Sequence, residues 1–218
     1  MSNSRKVVKL YCDVISTYSW LAFEVLCRYR NFWNIDLKFK PAFLGGVFHG
    51  SGNQKPGLVQ NKFCYMVTDL KQLSDGYLGL SHLFFFLSNQ GTLNVMRFVT
   101  AVDEKEKESG VLVERVSREL WKNIWCTHQD ITHPAGLKAG LSANEVEELL
   151  IPSKSQQIKD KLKNVTQVAL DYQVSAFHLL WILTAPVLHV RKWLTLNHLQ
   201  YLNCNWGLNT FGKNAGLG

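Results

Sequence analysis

Residues 10–30, LYCDVISTYSWLAFEVLCRYR, limit the possible folds more than any other part of this chain. A β-prone run ends in Asp13 and Val14 and gives way, through Ser16, Thr17, Tyr18 and Ser19, to apolar residues at helical spacing. Residues 6–14, KVVKLYCDV, have the β-branched character of a buried strand. Residues 35–44, IDLKFKPAFL, alternate apolar and polar up to Pro41, as an edge-compatible strand does. Between them the spacing predicts a helix over 18–33, its apolar positions Leu21, Val25, Tyr29 and Phe32 facing the sheet. Strand, helix and strand make a βαβ unit with a right-handed connection.

In a thioredoxin-like domain a strand, a four-residue turn and a helix N-terminus in this order carry a Cys-x-x-Cys motif, its first sulfur on the positive end of the helix. Here Ser16 and Ser19 stand at both sulfur positions, so the turn cannot cycle a disulfide of its own. A thiol–disulfide oxidoreductase is therefore set aside. By residue type alone, Ser16 reads first as a helix cap.

After the βαβ unit, glycines and polar residues dominate GGVFHGSGNQKPG at 45–57, which predicts a loop. Helical patterns then run from about 58 to 170: LVQNKFCYMVTDLKQL, GTLNVMRFVTAV, VLVERVSRELWKNIW, SANEVEELL and SQQIKDKLKNVTQVALDY. Ser142 followed by Glu145 is a capping-box signature, and DEKEKES at 103–109 reads as a solvated connection. The chain turns apolar again after Ala176. A thioredoxin-like α/β sheet split by a helical insertion follows, with 1–57 and 171–218 as a discontinuous sheet domain and 58–170 as the insertion.

An apolar fraction of 46% in 218 residues is enough for a packed core, so a soluble globular chain is expected. The net charge of +7 is spread along the chain, which favours small anionic ligands over nucleic acid. Five cysteines without close pairing, and an opening MSNSRKVVKL without the apolar core of a secretory signal, point to a reducing intracellular compartment. The most apolar run, AFHLLWILTAPVLHV at 176–190, carries two histidines and falls short of the roughly 18 residues a membrane span needs. Cys126, His128 and His133 fit no zinc spacing and lack a fourth ligand, so no metal is expected. The aromatic FFF at 84–86 reads as core or dimer surface.

The stretches DVISTYSWLAFEVLCRYRNFWNI, SGNQKPGL, YMVTDLK, MRFVTAV, SRELW and DIT, in this order and spacing across residues 8–172, resemble kappa-class glutathione transferases. The resemblance implies a thioredoxin fold of the bacterial disulfide-oxidoreductase type with a helical insertion, a homodimer, and a mitochondrial-matrix or peroxisomal location. It implies glutathione as co-substrate and Ser16 as the catalytic residue, its hydroxyl stabilising the glutathione thiolate. Thr17 and Tyr18 would flank the sulfur, Asn53 and Lys62 would bind glutathione, and Leu179 would pair with its backbone. Thr17 stands where the family usually has proline, a change that loosens the turn but leaves the serine hydroxyl.

The resemblance stops near residue 174. Leu180 falls where the family has a cis-proline, and no SD pair follows to hold the γ-glutamyl end. An abrupt loss of similarity after a good match is what a shifted reading frame or an altered exon junction produces. The expected activity is glutathione transfer to an electrophile or reduction of a hydroperoxide. The alternatives are a glutathione-dependent isomerase resembling 2-hydroxychromene-2-carboxylate isomerase, and a non-catalytic dimeric homologue with an impaired glutathione site.

Overall fold

The computed structural model describes residues 5–77, 91–107, 109–133, 136–174 and 180–184. Strand β1 (Lys6–Cys12) is followed by helix α1 (Thr17–Tyr29) and strand β2 (Ile35–Pro41). The two strands pair in parallel, Lys6 opposite Ile35 through Cys12 opposite Pro41. This is the βαβ unit that the alternating runs predict. Helices α2 (Leu44–Ser51), α3 (Gln60–Tyr77), α4 (Thr92–Glu106), α5 (Val111–Trp125), α6 (Ala143–Ser153) and α7 (Gln156–Asp171) come next. Strand β3 (Leu180–Thr184) returns antiparallel to β1, giving the sheet order β2-β1-β3. A returning strand therefore forms where the chain turns apolar again, and Leu180 is its first residue. Leu179 and residues 185–218, with the tail expectations that fall on them, lie outside the described residues, as does the aromatic run at 84–86.

The helix starts obey local chemistry. Ser142 caps α6 in a complete capping box, its hydroxyl accepting from the Glu145 N–H while the Glu145 carboxylate accepts from the Ser142 N–H. Ser155 caps α7 through the Ile158 N–H. Buried residues from β1, β2, α1, α4, α5, α6 and α7 form one continuous core. At its centre Phe23 of α1 meets Phe39 of β2 at 5.1 Å and Trp121 of α5 at 4.8 Å between ring centroids.

Three expectations need correction. The glycine-rich run at 45–57 is not a loop: it forms α2 and a 3-10 turn at Pro56–Leu58. Its glycines serve helix packing. A β-carbon at Gly46 would come within 3.0 Å of Thr166 Cγ2, and one at Gly50 would strike the Leu170 side chain. Positions 46 and 50, one helical turn apart, thus let α7 approach the α2 backbone along 166 and 170. Because volume added to a filled contact forces its neighbours apart, Gly46→Val is expected to lose about 1–3 kcal/mol in urea denaturation. An unchanged midpoint would show that α7 yields freely.

The buried face of α1 also differs from the expected stripe. Trp20, Ala22, Phe23 and Leu26 enter the main core, Leu21 packs with Met66 and Leu70 of α3, and Phe32 lies beyond the helix at 63% exposure. The helix is covered by the sheet, α3 and α5, so apolar positions occur round most of its circumference and a single stripe does not identify the sheet side.

The charged run at 103–109 belongs largely to α4, which continues to Glu106 before Lys107 turns left-handed at φ 47°. Asp103 and Glu104 pair with Lys161 of α7 at 2.7 and 2.6 Å. The Glu106 carboxylate accepts from the N–H groups of Leu112 and Val113, capping α5, whose own cap position is Gly110. Acidic residues here satisfy a helix start and a neighbouring lysine, which composition alone does not reveal.

Candidate active site

The end of β1 and the start of α1 form a tight turn. The Ser16 N–H donates to the Asp13 carbonyl at 2.9 Å, and Ser16 Oγ accepts from the Ser19 N–H at 3.1 Å, so Ser16 is the cap of α1. The capping and sulfur-binding readings of this serine are compatible: a hydroxyl accepts through its lone pairs and has a separate hydrogen to donate. No acidic residue lies in the first turn of α1 itself. Ser16 is 5% exposed, and Thr17 and Ser19 are 1% exposed each. Among the described residues the Thr17 and Ser19 hydroxyls have no hydrogen-bond partner.

Tyr18 reaches sideways to α3, where its hydroxyl donates to Asp69 Oδ2 at 2.6 Å. Burial, and then Asp69, push the phenol well above its ordinary pKa, so it stays protonated and bound to the carboxylate. With Leu21, Met66 and Leu70 beside it, this bond fixes α3 against the first turns of α1. Lys62, Met66 and Asp69 share one face of α3, and the seven steps from 62 to 69 span about 10 Å at 1.5 Å per residue. That is the reach of an extended tripeptide, at about 3.4 Å per residue. Lys62 Nζ donates to Asn53 Oδ1 at 3.1 Å, so the structure brings these two expected ligands together on the exposed side.

Two residues that hold this region together were not singled out as candidates from the sequence. Asp69 sits within YMVTDLK, and nothing in that pattern marks it as the partner of Tyr18. Asp13 directly follows β1 with its side chain fully buried, Oδ1 accepting from the Ile15 N–H at 3.0 Å and Oδ2 from the Leu44 N–H at 2.8 Å. Burial raises its pKa from 3.8 to about 7, against the pull of those two amides. The only signal in the sequence is an acid closing an apolar strand. Burial likewise pushes the Cys12 thiol far above its ordinary range and Cys27 up to about 12, so neither supplies a thiolate. The four described cysteines are free. Among the described residues no group of three or more His, Cys, Asp and Glu side chains gathers to hold a metal, and no helix is long and apolar enough to cross a membrane.

A carboxyl with a raised folded-state pKa favours folding in its protonated form. Its contribution is fully present below pH 4 and is lost as pH rises to about 7. At about 1.4 kcal/mol per unit the loss is on the order of 4 kcal/mol. The stability difference between the natural chain and Asp13→Asn, followed by thermal denaturation across this window, should drift toward the asparagine variant as pH rises. A difference that is flat with pH would mean that the carboxyl is not kept protonated by the fold.

A family profile described as the DSBA-like thioredoxin domain matches residues 7–175. Glutathione S-transferase kappa 1 of Homo sapiens is 41% identical over 177 residues, covering 77% of this chain and 76% of the human protein. The chain belongs to the kappa-class glutathione S-transferases. Glutathione S-transferase kappa 1 of Rattus norvegicus is 40% identical over 181 residues, covering 79% of each chain. Among solved structures, 2-hydroxychromene-2-carboxylate isomerase superposes with a TM-score of 0.71 at 17% identity, covering 93% of this chain and 95% of the isomerase. A putative protein disulfide isomerase from Nitrosomonas europaea gives 0.63 at 15% identity, covering 94% of this chain and 98% of that one. At such identities the likeness establishes the DsbA-like fold alone.

In this kappa-class chain the hydroxyl turn of 16–19 and the Asn53–Lys62 pair are therefore two parts of a DsbA-like scaffold, joined by α2 on one side and α3 on the other.

Proposed function

We propose that this chain is a glutathione-dependent transferase in which Ser16 activates the bound thiol. The reading rests on one observation above the others: a buried serine caps the helix at the position where this fold carries its reactive sulfur, in a chain whose relatives are glutathione S-transferases. A glutathione thiol has an ordinary pKa near 8.5 and is mostly protonated at neutral pH. A hydrogen bond from Ser16 Oγ to the sulfur, with the N-terminus of α1 behind it, stabilises the anion and lowers that pKa. Lys62 supplies a cation and Asn53 an amide for the carboxylate and peptide groups. Thr17 and Tyr18 flank the sulfur, and Leu179 pairs with the tripeptide backbone.

The thiolate then attacks an electrophilic carbon and expels its leaving group with the bonding pair. With a hydroperoxide it attacks the distal oxygen, giving the alcohol and a sulfenic acid that a second glutathione converts to the disulfide and water. The enzyme contributes orientation and anion stabilisation. A homodimer in the mitochondrial matrix or peroxisome completes the reading, on the family's pattern. Retention on immobilised glutathione and turnover of 1-chloro-2,4-dinitrobenzene or cumene hydroperoxide test it. Failure of both would leave the non-catalytic homologue, and turnover of a chromene carboxylate alone would favour the isomerase suggested by the shared fold.

Lys62 contacts the substrate far from the reacting sulfur, so its loss should weaken ground and transition states alike. Lys62→Ala is expected to raise the KM for glutathione about tenfold with kcat within about twofold, the signature of uniform binding. A large fall in kcat at unchanged KM would remove Lys62 from the binding role.

A further inference from the structure

The carboxylate of Asp13 touches both segments that carry the candidate site. Its Oδ1 bond to the Ile15 N–H, together with the Ser16 N–H donated to its carbonyl, folds residues 13–16 into the turn from which α1 starts. Its Oδ2 bond reaches the Leu44 N–H, the first residue of α2. The cap residue of α2, Phe43, offers no side-chain acceptor, so Asp13 fills that role from a distance of 31 residues in sequence. The Phe43 N–H is taken by Thr166 Oγ1 of α7 at 2.9 Å, which holds the same helix start from the other side. At the far end of α2, Gly52 turns the chain at φ 68°, the Asn53 N–H donates to Ser51 Oγ at 3.4 Å, and Asn53 Oδ1 meets Lys62.

We propose that Asp13 is the positioning residue of this site, fastening the Ser16 turn to α2 so that α2, acting as a rigid rod, sets where Asn53 and Lys62 stand relative to the Ser16 hydroxyl. What the two halves hold rests on the glutathione reading; the joint itself does not. An ionised carboxylate accepts the two amide bonds more strongly than a carboxylic acid, so the joint tightens as Asp13 loses its proton. Burial places that loss near neutral pH. Next to it on β1 is the Cys12 thiol, which is acted on by Asp13, by Cys27 on α1 and by Asp103 on α4. Helix α2 adds His49 near its opposite end.

The test uses the full chain and two readouts. Amide nitrogen and proton shifts of Ile15, Ser16 and Leu44, followed by NMR without ligand from about pH 5.5 to 8.5, should share one midpoint near 7 that is absent in Asp13→Asn. S-methylglutathione, which has no thiol to titrate, should bind the natural chain at least about threefold more tightly above that midpoint than below it by calorimetry. Asp13→Asn should bind it about tenfold more weakly at every pH with no step, because the amide nitrogen cannot accept from the Leu44 N–H. Amides that do not titrate together, or an affinity step that survives in the variant, overturns the proposal. If the variant does not fold, agreement or disagreement between the amide and affinity midpoints of the natural chain decides. Amides that titrate as stated with no S-methylglutathione binding at any pH would overturn the glutathione reading and leave the joint standing.

Discussion

Ser16→Ala is expected to lower the turnover of bound glutathione about 10- to 100-fold and to raise the pKa of the bound thiol. A hydrogen bond to a charged acceptor contributes roughly 1.5–3 kcal/mol, and each 1.4 kcal/mol is a factor of ten in rate. The same substitution removes the acceptor that caps α1 through the Ser19 N–H, so stability should fall by about 1 kcal/mol as well. Ser16→Asp separates the two roles. Aspartate caps a helix as well as serine does but has no hydrogen to donate when ionised and repels a thiolate. It should therefore keep the Ser19 N–H hydrogen-bonded, read by amide exchange, while losing at least as much activity as the alanine variant. The decisive measurement is the pH dependence of kcat/KM together with thiolate absorbance of bound glutathione. Should Ser16→Ala keep the natural pH profile, Ser16 is a cap and nothing more.

The largest stability effect is expected at Phe23. Its side chain is fully buried where β2, α1 and α5 meet, between Phe39 and Trp121, with the Arg118 guanidinium 4.9 Å from the ring centroid. Removing the ring forfeits its transfer energy and leaves a cavity among rigid neighbours, about 3–5 kcal/mol for Phe→Ala. Against the 5–15 kcal/mol that typically holds a domain together, that is enough to leave the chain partly unfolded at growth temperature. Phe23→Leu, which fills most of the space, should lose roughly half as much in urea denaturation. Equal losses for leucine and alanine would mean that ring contacts rather than volume hold this corner.

Much of this was legible in the sequence because it depends on neighbours within one helical turn. The capping box of Ser142 and Glu145 involves residues three apart, and α5 spans the same residues 111–125 that its pattern marked. The alternation in 35–41 alone identified β2, since a strand with one buried face repeats every second residue. Replacement of both sulfur positions by Ser16 and Ser19 ruled out disulfide cycling without reference to any contact.

The rest could not be read, and the reason is separation along the chain. The Asp13 carboxylate meets Leu44 31 residues away, Tyr18 meets Asp69 at 51, the Val14 N–H meets Met96 Sδ at 82, and the Phe43 N–H meets Thr166 at 123. Each pair exists only because the sheet and the helices have already been folded together. Gly46 and Gly50 make the same point: by propensity they break a helix, and only the close approach of Thr166 and Leu170 turns their missing side chains into a packing surface. Local pattern thus determined most of the helices and strands, and that hydroxyls stand at both positions where a thioredoxin-like turn carries sulfur. Tertiary structure decided which face of α1 is buried and how Asp13 ties the Ser16 turn to Asn53 and Lys62, because burial and long-range hydrogen bonds are properties of the assembled chain and not of any stretch within it.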